Sequence, residues 1–303
     1  MKKTLLTICL VWMCFSLSAQ KIIDLSGKWS FSIDRQDNGE KEKWFSHTLN
    51  DFINLPGSMP EKLKGDEVTA KTQWTGSLYD SSYYYNPYME KYRKEGNIKF
   101  PFFLTPDKHY VGAAWYQKEV NIPADWKGER ILLFLERPHI ETTVWVNGQK
   151  TGMQNSLCVP HQYDITHYVR PGKCTITIRV DNRIKEINVG PDSHSITDQT
   201  QGNWNGIVGR ICLQTTPKTY FDDIQIYPEP EQKLARVKVV IKGTGTAKVK
   251  LSAESFNTDK KHIVPAIQQE IKLNKGVTET EMVLPMGNDM LLWDEFHPAL
   301  YKL

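Results

Sequence analysis

The residues best suited to chemistry lie in one polar stretch, residues 192–206, which is rich in uncharged hydrogen-bonding groups and contains one tryptophan. Planar amides and a carboxylate can hydrogen-bond vicinal hydroxyl groups, and an indole can pack against the face of a sugar ring. The same composition is typical of a turn region whose side chains satisfy the nearby backbone. Composition alone leaves both interpretations open. The candidate sugar-binding residues are His194, Asp198, Gln201, Asn203 and Trp204.

The sequence contains no recognisable motif for catalysis, metal binding or nucleotide binding. The chain has no nucleophile elbow of the G-x-S-x-G type, no H-E-x-x-H zinc motif and no phosphate-binding loop. Gly243-Thr244-Gly245 lacks the third glycine and the helix of a dinucleotide site, and it predicts a strand turn. Glycosidases need two carboxylates across the scissile bond, and no carboxylate here has a context that marks such a pair. We therefore expect no metal, no cofactor and no catalytic residue.

The first residues are typical of a targeting segment. Lys2 and Lys3 precede an apolar run from Leu5 to Phe15, and small residues follow up to Ala19. This pattern predicts a signal peptide over residues 1–19 and export to the periplasm or the extracellular space. The run is shorter than the roughly 20 apolar residues of a membrane span. The formal net charge of +3 comes without a basic run, so a nucleic acid partner is not expected.

Three cysteines remain beyond the predicted signal peptide: Cys158, Cys174 and Cys212. An odd number in an exported protein cannot form a complete set of disulfides. They are interpreted either as small buried apolar residues or as one disulfide and one free thiol.

The polar stretch lies between patterns typical of β-strands. Ile131–Leu135 is a continuous apolar run, and Thr142–Val146 is followed by Asn147-Gly148, a strong hairpin-turn signal. No amphipathic helix of three turns is evident. The fold class is therefore all-β, a sandwich or barrel. Expected members of its core are Trp29, Trp115, Phe134, Val144, Trp145 and Ile178.

A domain boundary is predicted near Thr216-Pro217-Lys218. It separates a first domain, residues 20–217, from a second, residues 218–303, for which alternating short strands favour an immunoglobulin-like sandwich. Strands of the second domain are expected over residues 224–226, 237–241, 249–253, 267–273 and 278–284. Within the first domain, residues 57–112 have little strand pattern and many aromatic side chains. A long segment of this kind is often functional, and its rings could pack on sugars or only hold the segment onto the sandwich.

Several segments resemble the sugar-binding domain of glycoside hydrolase family 2, the group that includes β-galactosidases, β-glucuronidases and β-mannosidases. They occur in the family order: residues 26–31, 112–120, 130–136 with 143–148, 163–166 with 171–182, and 203–211. Near the end, Leu292-Trp293 through Leu300-Tyr301 is similar to the motif that closes the family's immunoglobulin-like domain. The segment Glu295-Phe296 departs from that motif, and the Tyr-rich insertion at 74–103 is not a general family feature.

The resemblance implies a jelly-roll sandwich, an immunoglobulin-like domain and then a barrel that carries both catalytic glutamates. We expect the barrel to be absent from this chain and the last strand of the second domain to be truncated. The resemblance also implies that an acidic residue shortly before the closing tryptophan lines the active site, for which Asp198 is the candidate. Its spacing to Trp204 is longer than in the relatives.

The leading hypothesis is thus the non-catalytic front portion of an exported family 2 exo-β-glycosidase. Its partner would be a β-linked oligosaccharide or polysaccharide, and the barrel would lie in the same full-length parent. A free-standing carbohydrate-binding module and a structural β-sandwich adhesion module are the alternatives.

Overall fold

The computed structural model describes residues 21–76, 81–101, 103–185, 193–194 and 196–303. The predicted signal peptide lies outside these residues, as do Tyr79, Asp192 and Ser195. The chain divides into two compact units between Thr215 and Thr216, which are called the larger and the smaller unit below. Both are built mainly of antiparallel strands, and the chain is all-β.

Two sheets form the larger unit. One has the order β1-β13-β8-β11, with β4 beside β13, and the other has the order β10-β9-β12-β7-β2-β3; β5 pairs only with β6. The strands are β1 (Ile22–Asp24), β2 (Gly27–Asp34), β3 (Asp51–Leu55), β4 (Gly57–Ser58), β5 (Asp66–Glu67), β6 (Lys108–His109), β7 (Ala113–Ile122), β8 (Arg130–Pro138), β9 (Glu141–Val146), β10 (Gln149–Asn155), β11 (His161–Asp164), β12 (Gly172–Asp181) and β13 (Gly206–Thr216).

The core of the larger unit draws side chains from both sheets, as the alternation of apolar residues along a strand requires. Trp29, Val144 and Ile178 belong to this main core. Trp115 and Trp145 are also buried, but they form a separate small cluster with Leu49 on the other face of the second sheet. Phe134 is buried too, outside both clusters.

The predicted hairpin at Asn147-Gly148 is confirmed. The strands β9 and β10 pair on either side of it, with Gln149 opposite Val146. Asn147 has φ 50° and Gly148 has φ 77°, the left-handed pair that a tight two-residue hairpin turn needs. The Asn147 side chain also accepts a hydrogen bond from the Thr175 backbone N–H at 3.0 Å.

Four strands form the smaller unit: β14 (Tyr220–Glu229), β15 (Leu234–Phe256), β16 (Ile263–Pro285) and β17 (Leu300–Lys302). The sequence pattern predicted separate strands at 237–241 and 249–253, and again at 267–273 and 278–284. Instead, β15 and β16 are continuous and 23 residues long each. Their pairing shifts register between Gly243 and Gly245, so an irregularity within the ladder replaces the expected strand turn.

Helices are few and short in the part of the chain that the structure describes. The only α-helix there is α1 (Ser82–Tyr85), and the 3₁₀ helices span Trp44–Ser46, Pro60–Lys62, Pro87–Tyr92, Ala124–Trp126 and Pro230–Gln232. None of the helices in that part is long and apolar enough to cross a membrane.

All three described cysteines are free thiols. Cys174 and Cys212 are buried, as the interpretation as small apolar residues expects, and burial raises the pKa of the Cys174 thiol to about 11. Cys158 is exposed instead, because it lies in the loop between β10 and β11.

Candidate functional site

Asp198 is the centre of the polar stretch that leads into β13, and it is buried, with 1% of its surface exposed. Its backbone is paired in both directions. The N–H donates to the carbonyl of Thr75 at 3.0 Å, and the carbonyl accepts from the Leu104 N–H at 3.1 Å. The stretch is therefore joined directly to two positions within the aromatic-rich segment, Thr75 and Leu104.

The carboxylate of Asp198 organises the same junction. Oδ2 accepts a hydrogen bond from the Thr75 N–H at 2.7 Å, and Oδ1 accepts one from the Asn203 N–H at 2.6 Å. Oδ2 also lies 3.5 Å from His109 Nε2. A carboxylate with two oxygens can accept about four hydrogen bonds, and the backbone donors among the described residues use two of them.

Asn203 carries the network away from Asp198 toward β12. Its Nδ2 donates to the Asn182 carbonyl and to Thr75 Oγ1, both at 3.1 Å. Its Oδ1 accepts from Asn182 Nδ2 at 2.9 Å. Because both N–H groups of its amide and one lone pair of its oxygen bond other parts of the protein, Asn203 positions the loop.

Asn182 and Asn205 complete the network, and they were not among the sequence candidates. Asn182 Oδ1 accepts from the Gly112 N–H at 2.8 Å. Asn205 Nδ2 donates to the carbonyls of Gly112 and Val180, each at 2.9 Å, and its Oδ1 accepts from the Tyr116 hydroxyl at 2.7 Å. The sequence feature that could have identified Asn205 is the pair of asparagines at alternate positions, 203 and 205, just before a strand.

Trp204 lies beside this network and stacks on His139. The ring centroids are 4.5 Å apart with an angle of 28° between the planes. The histidine is 4% exposed, and burial lowers its pKa to about 4, so it is neutral at pH 7. Trp204 is half-buried and does not belong to the main core. Part of its indole is therefore accessible to a ligand.

His194 and Gln201 are the two candidates that the buried network does not include. Both are exposed. The backbone carbonyl of His194 accepts from the Thr200 hydroxyl at 2.8 Å, and the backbone N–H of Gln201 donates to the Thr197 carbonyl at 3.1 Å. The structure thus brings Asp198, Asn203 and Trp204 together, with His194 and Gln201 on the surface of the same loop.

Four buried polar atoms around Asp198 have no hydrogen-bond partner among the described residues. They are Trp74 Nε1, His109 Nε2, His139 Nε2 and Gln199 Oε1. The rings of Trp74 and His109 are 4.9 Å apart, and His109 contacts Asp198. A buried polar group without a partner costs about 1–3 kcal/mol. Because these atoms are buried, they are not exposed to a ligand, and each imposes this cost on the folded larger unit.

An ionic cluster holds the end of β12 next to the asparagine network. Arg179 bonds Asp37 at 2.6 Å, Asp181 at 2.9 Å and Glu141 at 3.3 Å. Burial opposes ionisation of Asp181, but hydrogen bonds from Arg183 and Lys185 hold the pKa of its carboxyl well below the usual range. Because removing one partner of a buried ion pair leaves an uncompensated charge, the cluster fixes the start of the loop. No group of His, Cys, Asp and Glu residues in the described part of the chain could hold a metal ion.

Two family models match consecutive parts of the chain. The sugar-binding domain of glycosyl hydrolases family 2 matches residues 22–217, and a second model of glycosyl hydrolases family 2 matches residues 219–303. Among curated relatives, the Homo sapiens β-glucuronidase is 24% identical over 266 residues, which are 78% of this chain and 35% of that protein. The Clostridium acetobutylicum β-galactosidase is 24% identical over 287 residues, 92% of this chain and 28% of that protein.

Solved structures share the fold. A β-glucuronidase from Ruminococcus gnavus in complex with D-glucuronic acid has a TM-score of 0.56 and 18% identity, and the match covers 93% of this chain and 42% of that one. An uncultured Clostridium sp. β-glucuronidase has a TM-score of 0.56 and 19% identity, with 94% and 42% covered. The chain spans less than half the length of these relatives. Since the sugar-binding model alone matches most of the chain, the protein belongs to glycosyl hydrolase family 2.

Proposed function

We propose that this chain supplies carbohydrate recognition to an exported exo-β-glycosidase of family 2, with the Asp198 junction as one wall of the active site. The observation that carries the proposal is the partly accessible indole of Trp204, which stacks on His139 beside the buried network of Asp198 and Asn203. Such an indole can cover the apolar face of a sugar ring. Export rests on the targeting pattern in the first 19 residues.

We assign recognition and not hydrolysis to the described carboxylates near the junction. A glycosidase needs one protonated acid and one free carboxylate across the scissile bond. Asp198 is bound by two backbone N–H groups, and Asp181 and Glu141 are held in ion pairs with arginine and lysine. All three are thus engaged by other groups of the protein. In line with the family resemblance, we assign the two hydrolytic carboxylates to a barrel in a longer parent polypeptide.

A test on this chain uses nitrophenyl β-glycosides of glucuronic acid, galactose and mannose. We expect the purified 303-residue chain to release no nitrophenol. Release that follows the chain through purification, and is absent from a mock preparation, would contradict the assignment.

A second test uses the parent polypeptide with its barrel. Trp204→Ala is expected to lower kcat/KM about 30-fold or more, which corresponds to about 2 kcal/mol of transition-state binding. Trp293→Ala, at an exposed tryptophan of the smaller unit, is the matched control and should leave kcat/KM unchanged. Equal effects of the two substitutions on kcat/KM would show that Trp204 is not part of the active site.

A further inference from the structure

A second feature of the larger unit is the aromatic insertion, defined here as residues 81–107 without Phe102, which is not described. It is held together by its own contacts. The Tyr83 hydroxyl donates to the Tyr92 carbonyl at 2.9 Å, and the Lys99 N–H donates to the same carbonyl at 3.1 Å. The rings of Tyr83 and Phe100 stack at 4.5 Å. These contacts give the insertion a defined shape despite its scarcity of regular structure.

The insertion is attached to the Asp198 junction. The Leu104 N–H donates to the Asp198 carbonyl. Phe103 stacks on Trp74 at 4.8 Å, and Trp74 in turn contacts the edge of His109. The scaffold of two sheets therefore holds the insertion in place, as a binding surface requires.

A cavity of about 840 Å³ opens in the insertion. It is a separate concavity from the Asp198 junction, since none of the junction's unpaired groups line it. Its wall includes the aromatic rings of Tyr92 and Phe103 together with the polar side chains of Asn97, Lys99 and Asp107. The volume is within the range of ligand sites in proteins, and the lining is about equally polar and apolar.

The two charged groups at this cavity are available, whereas Asn97 Nδ2 already donates to the Lys91 carbonyl at 2.7 Å. Neither the Lys99 ammonium nor the Asp107 carboxylate has an ion-pair partner among the residues that the structure describes. A purely apolar partner would remove both charges from water without pairing them, which is costly. The insertion has four basic and three acidic residues, so no charge excess favours a polyanion. Rings beside separate donors and acceptors suit a polyhydroxylated ligand with apolar ring faces.

We propose that this cavity is a carbohydrate-binding site that takes hexopyranose units of a β-linked oligosaccharide. Ring faces pack on Tyr92 and Phe103, and hydroxyl groups bond to Asp107, Lys99 and the side-chain oxygen of Asn97. The site does not depend on the proposed function, because binding here needs neither a barrel nor the Asp198 junction. The site lets the chain bind a polymeric carbohydrate next to the junction.

The experiment is affinity electrophoresis of the 303-residue chain in native gels that contain β-glucan, glucuronoxylan or β-1,4-galactan. We expect at least one polysaccharide to retard the chain. The corresponding hexasaccharide is then titrated by calorimetry. Asp107→Asn and Lys99→Ala are each expected to weaken binding about tenfold. Asp289→Asn, at an exposed position of the smaller unit, is the control and should bind like the unchanged chain.

The outcomes separate this site from the Asp198 junction. Binding that is lost in Asp107→Asn and kept in Trp204→Ala supports the cavity as the site, whatever the activity assays show. Binding that is lost in Trp204→Ala and unaffected by both cavity substitutions overturns the inference and leaves the proposed function intact. Failure of all three polysaccharides to retard the chain also overturns it. Unchanged melting temperatures of the variants confirm that each one is folded.

Discussion

At the scale of single residues, the junction depends on polar groups that are buried because they are paired. Asp198 accepts from the backbone of Thr75 and of Asn203, and so joins two segments that are more than 120 positions apart in the chain. Burying backbone N–H groups without acceptors would be costly. The loop thus needs a carboxylate at this position for its own structure, independently of any ligand.

Asp198→Ala tests that role. Two buried N–H groups lose their acceptor, so the free energy of unfolding of the larger unit should fall by about 3 kcal/mol. Urea unfolding at pH 7 measures the change. Asp223→Ala, at an exposed aspartate of the smaller unit, should change the stability by less than about 0.5 kcal/mol. A similarly small effect at Asp198 would show that water replaces the carboxylate.

His139 gives the larger unit a dependence on pH. Its pKa is about 4 in the folded chain, below the ordinary 6.5, because burial disfavours the charged ring. The unfolded chain therefore binds the proton first as the pH falls. This contribution to stability is complete above pH 6.5 and is lost as the pH falls from 6.5 toward 4, by about 3 kcal/mol at most.

Urea unfolding at pH 7.5 and at pH 4.5 measures this dependence. The difference between the unfolding free energies at the two pH values should be smaller in His139→Gln. Part of it should remain, because burial also lowers the pKa of His161. His194→Gln is the control, because His194 is exposed and should leave the difference as it is. An unchanged difference in His139→Gln would assign the dependence to other groups.

At the scale of elements, the ends of β12 and β13 decide where the site forms. These strands belong to different sheets, and the loop between them crosses from one sheet to the other. Asn182 follows β12, and Asn203 and Asn205 precede β13, so their amides meet across the gap between the sheets. The sandwich thus places the candidate site at one end, where the crossing loop is pinned.

Gly206 is required at the start of β13. Its φ is 145°, and a Cβ atom there would lie 2.4 Å from the Gly57 carbonyl oxygen on β4. We expect Gly206→Ala to destabilise the larger unit by more than about 2 kcal/mol, since backbone atoms must move. Gly202→Ala is the control: φ is also positive, 70°, but no atom lies within 4 Å, so only the conformational cost of about 1 kcal/mol remains. Equal losses of stability in the two variants would show that β4 moves to make room for the Cβ atom.

At the scale of the whole molecule, each of the two units has its own main hydrophobic core among the described residues. Each unit can therefore unfold as its own cooperative transition. Ile178→Ala, in the larger core, and Leu284→Ala, in the smaller, both truncate fully buried side chains. Each should destabilise its own unit by about 2–5 kcal/mol.

Calorimetry of the two variants checks this. We expect Ile178→Ala to lower the Tm of one transition and Leu284→Ala to lower the Tm of the other. A single transition that both substitutions shift equally would show that the chain unfolds as one unit.

Much of the strand framework followed from local pattern. The hairpin at Asn147-Gly148 was predictable because a left-handed turn selects those two residues. The buried run Ile131–Leu135 was predictable because it is apolar at every position, and Trp29 and Ile178 because alternation directs them inward. The continuity of β15 and β16 was not predictable, because a register shift and a strand end give the same glycine pattern.

The sequence by itself determined the all-β class, the family resemblance and the polar stretch that holds Asp198, Asn203 and Trp204. Only the tertiary structure decided what each of these side chains touches. The partners of Asp198 and Asn203 include Thr75, far away in the chain, and the ring that stacks on Trp204 comes from His139. Local composition does not encode such contacts, because they arise only when the two sheets close around their shared core and bring the loop, the asparagines and the aromatic insertion to the same end.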